Sequence, residues 1–428
     1  MTVGTGSKPT VWMLNHYANP PDQPGGSRHY DLARHLQGRG YDVVICASSF
    51  HHSTGTEARL KSGETWKVEV FDGVKFVWVR TFPYRGNNWR RMANMFSYMF
   101  RSYRYGRKLP SLNAGIPAPD IVIGSTVHLF AVLSGFWLAR SFKCRFVMEV
   151  RDLWPQTPVD IGKLSSKSPI TLALRVLEKF LYRRAEKIIT VLPRATDYLN
   201  NLGIPADKIA WIPNGVDVDN FDAMPPYSGG NADSFTILYL GGHAAYHGLD
   251  TLLDAASILQ SQGETRARFL LVGDGAEKQG LIDHANALGL ENVEFRSPVP
   301  KAQVLDVLGE ADAVVFTFRD LPVFRYGISP LKIYDYLASG RPILYSVADE
   351  SMMVEKAQAG ITVPPEDAPA LAQAVRDLMA MSKEARIQMG RNGHAYAKSN
   401  HDIPTLADRL EDVILHVTGE TPEVPYAR

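Results

Sequence analysis

The chain has 428 residues, of which 45% are hydrophobic, and its 46 Lys and Arg nearly balance its 45 Asp and Glu. This length predicts two domains, and the balanced charge gives no support to nucleic-acid binding. The only two cysteines exclude a disulfide framework, and both lie in apolar runs typical of buried thiols in a reducing compartment. The first ten residues contain no signal-peptide core, and no apolar run reaches the ~20 residues of a membrane helix. We therefore expect a cytoplasmic protein, or one that touches a membrane only from its surface.

Strand-like and helix-like segments alternate along the first half of the chain, which predicts an α/β fold with parallel sheets. A first strand, 11–14, leads into a Pro- and Gly-rich loop, 15–26, and a helix, 27–37. The Asp72-Gly73 pair between two strand-like runs predicts a hairpin over 66–79. The other elements predicted in this half are strands 43–45, 121–123, 145–150 and 188–191 and helices 127–140 and 172–184.

The segment 85–108 combines cations with large aromatic residues. Nine basic residues and no acidic one lie between positions 73 and 119. A basic helix with bulky aromatic side chains is typical of a segment lying in a membrane interface, and a core-facing helix with solvated arginines is the alternative. Large side chains recur there at helical spacing: Met92, Phe96, Met99 and Tyr103. The residues expected at the membrane are Trp89, Arg90, Arg91, Phe96, Arg101 and Arg104.

A second α/β series follows a connection rich in Pro, Gly and Asn over 213–233. We predict a first domain, 1–205, and a second domain, 206–403. Two doubly wound, Rossmann-like domains bind ligands in the cleft between them, at the carboxyl ends of their strands. The elements predicted in the second domain are strands 235–240, 269–272, 293–295, 313–316 and 343–345 and helices 248–262, 276–288, 302–308 and 329–340, with a helical tail from residue 369.

Three Gly-rich strand-to-helix turns point at this cleft: Gly25-Gly26, Gly241-Gly242 and Gly273-Asp274-Gly275. Glycine lets backbone amides approach a phosphate closely, although each turn alone is a weak signal, because tight turns also use glycine for geometry. Together the three turns favour a phosphorylated ligand. None has the spacing of a dinucleotide or Walker loop, so hydride transfer and ATP hydrolysis are disfavoured.

The segment 329–342 carries start and stop signals of a helix. Ser329 is the predicted N-cap and Pro330 the first helical residue, while Gly340 and Pro342 end the helix before an apolar strand. The first-turn amides of a helix have no partners inside it, and with the helix dipole they form an anion site.

Lys332 and Asp335 stand three residues apart on one face of this helix. A cation suits a phosphate and a carboxylate suits sugar hydroxyls, so the pair predicts a nucleotide pocket. The alternative is an ordinary capped helix with an exposed ion pair.

In order and spacing these motifs resemble the family-4 retaining glycosyltransferases of GT-B fold. The segments that carry the resemblance are the Gly25-Gly26 loop, 213–217, 241–248, 272–275 and 329–342. Within the family, the segments 15–17 (Asn-His-Tyr) and 151–155 (Arg-Asp-Leu-Trp-Pro) resemble the bacterial subgroup that adds amino sugars such as N-acetylfucosamine to surface polysaccharides. The resemblance implies a nucleotide-sugar donor, UDP-linked by preference, on the second domain and an acceptor on the first. It also implies that the last helix, 404–420, packs back on the first domain.

Carried over residue by residue, the resemblance also shows departures from the family. Asp335 stands where the family has a ribose-binding glutamate, which is one methylene longer. The glutamate that usually holds the donor sugar falls on Gly327, and the phosphate-binding lysine falls on His247. A histidine donates to a diphosphate but is a full cation only near or below a pKa of about 6.5. The groups expected to replace the missing charge are Lys332, the amides of Leu331 and Lys332, and Arg319 or Arg325.

Stabilising the departing diphosphate is typically the largest catalytic contribution in such a transfer. We assign Lys332, His247 and the Gly26 amide to the diphosphate and Asp335 to the ribose. The full set predicted to bind the donor is Gly26, Gly241, Gly242, Gly273, Ser329, Leu331, Lys332, Asp335 and Arg325.

Polar residues of the first domain are candidates for the acceptor. Asp152, a predicted catalytic residue, and Arg151 begin a loop after a strand, and His128 lies near the end of another strand. The alternatives are capping or an ion pair for Asp152 and a core or surface position for His128.

No Asp-X-Asp pair follows a predicted strand, so we expect no metal and no cofactor besides the donor substrate. We expect a peripheral protein on the inner face of the cell membrane that takes a polyprenyl-linked acceptor. The alternatives are a nucleotide-sugar epimerase of the same fold and an inactive membrane-bound scaffold that binds sugar nucleotides.

Overall fold

Two α/β units make up the protein. The computed structural model describes residues 8–23, 26–52, 54–86, 88–112, 115–230 and 233–420. One unit consists of Met1–Pro213 with Pro404–Arg428, and the other of Asn214–Ile403. Each is built on a sheet of mainly parallel strands, which confirms the predicted fold class of two Rossmann-like domains.

The first unit contains strands and helices in alternation. Its strands are β1 (Thr10–Leu14), β2 (Asp42–Ser48), β3 (Phe50–His51), β4 (Thr56–Glu57), β5 (Trp66–Phe71), β6 (Val74–Val79), β7 (Ile121–Ser125), β8 (Arg145–Val150), β9 (Lys187–Thr190) and β10 (Ile209–Trp211). Its helices ahead of the connection are α1 (Arg28–Gly38), α2 (Trp89–Gly106), α3 (Leu129–Phe142), α4 (Gln156–Asp160), α5 (Pro169–Arg184) and α6 (Ala195–Asn201).

The main sheet of this unit has the strand order β10-β9-β8-β7-β1-β2-β6-β5. Its neighbouring strands run parallel except β5 and β6, which form the predicted hairpin. Asp72 and Gly73 both have positive φ, 45° and 83°, as a type I′ turn requires. The carboxyl ends of β1, β7 and β8 therefore lie side by side at one edge of the sheet.

The second unit repeats the α/β pattern. Its strands are β11 (Phe235–Leu240), β12 (Ala267–Val272), β13 (Val293–Arg296), β14 (Ala313–Thr317), β15 (Ile343–Ser346) and β16 (Gly360–Val363). Its helices are α7 (Leu249–Ser261), α8 (Lys278–Ala287), α9 (Val304–Gly309), α10 (Leu331–Ala338), α11 (Met353–Ala357), α12 (Ala368–Ala380) and α13 (Lys383–Asn400). The strand order is β13-β12-β11-β14-β15-β16 with every pair parallel, so the order reverses between β11 and β14. Such a switch point is where sheets of this kind bind ligands.

The last helix, α14 (Ile403–Thr418), returns to the first unit. Its apolar residues Leu406, Leu410 and Ile414 are buried in one core with Leu36 of α1 and Val43 of β2. The first unit therefore closes its core with the last described helix of the chain.

The start of α10 differs from the prediction. The helix begins at Leu331, and Pro330 occupies the N-cap position without a side-chain hydrogen bond. The predicted N-cap, Ser329, is buried, and its hydroxyl instead accepts from the backbone N–H of Asn214 at 3.0 Å and hydrogen-bonds the hydroxyl of Tyr334 at 2.8 Å. The N-cap prediction was wrong because these partners take the hydroxyl away from the helix.

Candidate active site

Lys332 lies at the switch point of the second unit, inside a cage of aromatic rings. Its Nζ donates to the hydroxyl of Tyr239 at 2.7 Å and lies 4.2 Å from the centroid of the Tyr239 ring and 4.9 Å from that of Phe316. Tyr239 belongs to β11 and Phe316 to β14, so the strands on both sides of the switch point hold this side chain. Burial lowers the pKa of Lys332 to about 7, and the ring faces favour the cation. An anion bound beside Nζ would raise this pKa again, so Lys332 would be fully protonated in the complex.

The two glycine turns of this unit pack directly against each other. Gly241 has φ of 153° and Gly273 has φ of 150°. A Cβ atom on Gly273 would lie 1.8 Å from the carbonyl oxygen of Gly241, and one on Gly275 would lie 2.3 Å from that of His243. Loop packing alone thus requires glycine at 273 and 275. Gly241 also leaves room for Lys332, whose Cδ would lie 3.3 Å from a Cβ there.

His247 is neutral in this environment. Burial and the nearby Lys332 lower the pKa of its imidazole to about 3, and the ring stacks on Phe318 with the centroids 5.3 Å apart. Its Nδ1 accepts from the backbone N–H of Ala244 at 3.2 Å, so the proton of the neutral ring is on Nε2. His247 can therefore donate one hydrogen bond to a phosphate, but it adds no positive charge.

His243 is a site residue that the sequence analysis missed. It stands two positions after Gly241 and is fully buried, and neither ring nitrogen has a hydrogen-bond partner in the described part of the chain. Burial and the ammonium of Lys278 lower the pKa of the ring to about 4. The sequence signal that could have identified His243 is its position directly after the Gly241-Gly242 turn.

The amino end of α10 is free of a side-chain cap within the described residues. Leu331, at its first position, is partly exposed. Asp335 lies on the next turn, half-buried, and burial raises the pKa of its carboxyl to about 6. Ser329 is not free to bind a ligand. Its hydroxyl accepts from the backbone N–H of Asn214, and its carbonyl accepts from the side chain of Asn214. Its predicted place among the donor-binding residues therefore does not fit the structure.

The arginines expected to supply extra charge have other surroundings. Arg319 forms ion pairs with Asp250 at 2.8 Å and Glu366 at 3.0 Å. Arg325 is exposed and lines a depression together with Asp320 and Asp349, where carboxylates predominate. The predicted donor contact of Arg325 gains no support from this position.

A buried ion network, not predicted from the sequence, lies at the carboxyl edge of the first unit's sheet. Glu149 of β8 accepts from Arg28 at 3.0 Å, from the ring of His29 at 2.6 Å and from the hydroxyl of Ser125 at 2.6 Å. Burial raises the pKa of this carboxyl, but His29 and Arg28 lower it more, so Glu149 is ionised. Arg28 also donates to the carbonyl of Ile212 at 2.8 Å. An acidic residue inside an apolar strand run was the sequence signal for this network.

The residues predicted to bind the acceptor lie at the same edge, in two different environments. Asp152 and Arg151 are half-buried at the end of β8, and burial raises the pKa of the Asp152 carboxyl. His128 is fully buried, its Nδ1 accepts from the N–H of Ala131 at 3.2 Å, and its Nε2 hydrogen-bonds His16 at 2.6 Å. Both ring nitrogens are engaged, so the acceptor contact predicted for His128 does not fit; it caps α3 instead.

Of the remaining predicted residues, Gly26 lies in the loop before α1, and Gly25 falls outside the described residues. Gly242 is exposed beside His247.

Of the stripe Met92, Phe96, Met99 and Tyr103 on helix α2, only Met99 is buried. The buried residues of the helix are Asn94, Met95, Tyr98, Met99, Ser102 and Gly106. Trp89, Arg90, Phe96 and Arg104 are exposed, as a membrane contact would need. Arg91 and Arg101 are only partly exposed. Burial and the charge of Arg91 lower the pKa of the rings of His16 and His128, and Arg101 donates to the carbonyl of Arg80 at 2.9 Å.

None of the helices in the described ranges has the length and apolar content needed to span a bilayer. Within the same ranges, no three His, Cys, Asp or Glu side chains are grouped so that they could hold a metal ion.

Comparison with known proteins identifies two glycosyltransferase domains. Residues 25–220 match the family described as Glycosyltransferase Family 4, and residues 234–381 match the family described as Glycosyl transferases group 1. The chain is 22% identical to a probable glycosyltransferase, WbjE of Pseudomonas aeruginosa, over 69% of this chain and 74% of that protein. It is 24% identical to the alpha-D-kanosaminyltransferase of Streptomyces kanamyceticus, over 68% of this chain and 77% of that protein.

A solved structure shows the same fold. HepE of Anabaena, in complex with UDP and glucose, superposes with a TM-score of 0.67 at 18% identity and covers 95% of this chain and 99% of its own. Two matched domains in the expected order, on two Rossmann-like units, account for most of the described chain. The chain therefore combines a Glycosyltransferase Family 4 domain and a Glycosyl transferases group 1 domain on the GT-B fold, and its activity is that of a glycosyltransferase (EC 2.4).

Proposed function

We propose that the protein transfers a sugar from a UDP-linked donor to a lipid-linked glycan, with retention of the anomeric configuration, in the synthesis of a bacterial surface polysaccharide. The observation that carries the proposal is the caged ammonium of Lys332 at the switch point of the second unit, in the first turn of α10, whose amino end has no side-chain cap. UDP as the carrier is supported by the HepE complex, and retention by the family resemblance alone.

The chemistry assigned to this chain is stabilisation of the leaving diphosphate. Lys332 supplies the cation, Nε2 of His247 donates a hydrogen bond, and the amides of Leu331 and Lys332 add the positive end of a helix dipole. Asp335 accepts from the ribose hydroxyls once its carboxyl is ionised. Because these donors are fixed before the anomeric bond breaks, little reorganisation is needed as charge develops.

We propose an N-acetylated amino or deoxy sugar as the transferred group. The support is the resemblance of the segments 15–17 and 151–155 to the subgroup that adds N-acetylfucosamine, together with the kanosaminyltransferase, whose name denotes transfer of an amino sugar. Asp152 and Arg151, half-buried at a strand end, are the groups assigned to the acceptor.

We also propose that transfer needs no metal ion and that α2 contacts the inner leaflet of the membrane. The exposed Trp89, Phe96, Arg90 and Arg104 support the second proposal, since aromatic rings and arginines together favour an anionic lipid interface. Full activity after chelation supports the first, and activity lost on chelation and restored by magnesium or manganese would contradict it.

A panel of UDP-, GDP- and dTDP-sugars, incubated with and without polyprenyl-diphosphate glycans, tests the function. We expect UDP release and a longer glycan with one UDP-sugar and one acceptor, and at least ~100-fold lower turnover for Lys332→Met, since a lost oxyanion donor typically has this effect. Lys356→Met, an exposed lysine of the same unit, serves as the matched control. A changed sugar without acceptor would instead establish an epimerase, and tight UDP binding without turnover an inactive scaffold.

A further inference from the structure

Helix α5 presents a row of large apolar side chains to solvent. Leu172, Val176 and Phe180 follow one another at intervals of four residues and so share one face of the helix. Leu172 is 53% exposed and Val176 is 72% exposed, and Ile170 and Phe180 are also exposed. Single exposed apolar residues are ordinary, but three on one face of a helix form a patch that calls for a partner.

The outward-facing charges of α5 itself are of one sign. The helix contains Arg175, Lys179, Arg183 and Arg184 but a single acidic residue, Glu178. Glu178 is buried and accepts from the hydroxyl of Tyr198 at 3.0 Å, so its carboxylate is turned away from the outer surface. The outward face of α5 is therefore both apolar and cationic.

A groove of ≈ 460 Å³ borders the patch between α3 and α5. Its apolar lining includes Phe136, Ala139, Phe146 and Phe180. The polar groups that line it are Arg140, Arg184 and Glu186, of which Glu186 is paired with Arg145 at 3.1 Å. A groove with aromatic rings in its lining and two guanidinium groups beside them fits an acyl chain that ends in an anionic headgroup.

Aromatic contacts join this groove to α2 across the three helices on the same face of the sheet. The ring centroids of Phe96 and Phe130 are 4.4 Å apart, those of Phe100 and Trp137 are 6.2 Å apart, and those of Phe136 and Phe180 are 5.3 Å apart. The surface of α5 is thus continuous with the exposed aromatic face of α2.

We propose that the outer face of α5 is a second contact with an anionic lipid bilayer. Leu172, Val176 and Phe180 enter the boundary between headgroups and acyl chains, Lys179, Arg183 and Arg184 bind lipid phosphates, and the groove between α3 and α5 holds one acyl chain. The inference extends the membrane contact proposed above for α2, and it does not depend on the donor chemistry.

The charge argues against a second copy of the chain as the occupant. A two-fold contact brings the same patch of both subunits together, so four cations on one α5 would face four on the other. An anionic bilayer offers the opposite charge.

Co-sedimentation of the full chain with vesicles of phosphatidylglycerol and phosphatidylcholine, compared with phosphatidylcholine alone, tests the proposal. We expect binding to the anionic vesicles only, weakened at least ~10-fold in Leu172→Ser/Val176→Ser. We expect a loss of about 5-fold per removed cation in Lys179→Gln/Arg183→Gln/Arg184→Gln. The matched controls keep the binding of the native protein: Val70→Ser, at a site 60% exposed on β5, and Arg268→Gln/Lys356→Gln/Arg391→Gln, all exposed in the second unit.

Unchanged vesicle binding in both α5 variants would overturn the proposal. So would sedimentation data in which Leu172→Ser/Val176→Ser converts a dimer into a monomer without affecting vesicle binding. UDP affinity, measured by calorimetry on the same variants, is expected to stay that of the native protein. A native protein that binds anionic vesicles but no UDP, with vesicle binding weakened in the α5 variants, would contradict the proposed function and leave the α5 contact supported.

Discussion

At the scale of single residues, Lys332 makes donor binding depend on pH. Burial lowers its pKa from about 10.4 to about 7, and a diphosphate beside Nζ would raise it again. The complex then binds more protons than the free protein, so affinity falls as pH rises above about 7. We expect the Kd for UDP to increase by up to ~10-fold per pH unit between pH 7 and 9, where the phosphates of UDP are already ionised. Calorimetry at several pH values measures this slope.

Two variants identify the source of that slope. Lys332→Arg keeps a cation at every pH in this window, and Lys332→Met removes it, so both are expected to bind UDP without this pH dependence. The pKa values of Asp335, His243 and His247 are about 6, about 4 and about 3, so these groups titrate below the window. A slope that persists in Lys332→Met would show that another group is responsible.

Asp335 offers a second residue-scale prediction. Its carboxyl has a pKa raised to about 6 by burial, so it accepts from ribose hydroxyls fully only above that pH. Asp335→Asn keeps the shape but not the charge, and we expect it to weaken UDP binding by about 10-fold or more at pH 7.5. Binding of 2′,3′-dideoxy-UDP is expected to be equal in the native protein and the variant. Equal losses for both nucleotides would mean that Asp335 does not contact the ribose.

At the scale of elements, the packing of the two glycine turns is the most sharply defined feature of the second unit. Gly273→Ala would place a Cβ atom 1.8 Å from the Gly241 carbonyl oxygen, so the loops must separate. We expect a loss of ~1–3 kcal/mol in the free energy of unfolding, together with weaker UDP binding. Gly280→Ala is the control, because a Cβ atom there meets nothing within 4 Å and alanine favours the interior of α8. Urea unfolding measures both, and equal stabilities would contradict the loop packing.

Local sequence patterns were sufficient to predict most of the helices and strands. Apolar runs of three to six residues predicted most strands of both sheets, and Asp72-Gly73 predicted the β5–β6 hairpin, because these signals lie in neighbouring residues. The strands β10 and β16, of three and four residues, were missed, whereas β9, β13 and β15, of four residues each, were predicted. Both are the last strands of their sheets and are held by pairing with β9 and β15, and that pairing leaves no local pattern.

Contacts between distant residues explain what the sequence did not reveal about the site. Ser329 looked like an N-cap, but Asn214, which lies 115 positions earlier in the chain, takes its hydroxyl. Glu149 meets Arg28 across 121 positions, so its ion network leaves no sequence motif. Lys332 was identified from helix signals alone, whereas its aromatic cage comes from the packing of β11 and β14 around it.

At the scale of the whole molecule, the first unit is built from two separate parts of the chain. The helix α14 comes after the second unit in sequence, yet its Leu406, Leu410 and Val413 are buried in the first unit's core. Glu411 adds polar contacts to the same unit, with Arg39 at 2.7 Å and with the hydroxyl of Tyr41 at 2.9 Å. The first unit therefore cannot complete its core until the end of α14 has been synthesised.

This dependence predicts a local effect of a change near the C-terminus. Leu410→Asp would bury an unpaired carboxylate among apolar side chains, and we expect it to lower the free energy of unfolding of the first unit by about 4 kcal/mol or more. His416→Asp, an exposed position on the same helix, is the control. Hydrogen exchange followed by mass spectrometry measures the effect strand by strand: we expect protection to fall in β1 and β2, with β11 and β12 of the second unit as the reference. If β1 and β2 kept native protection in Leu410→Asp, α14 would not be a structural part of the first unit, since the core that holds those strands would be stable without it.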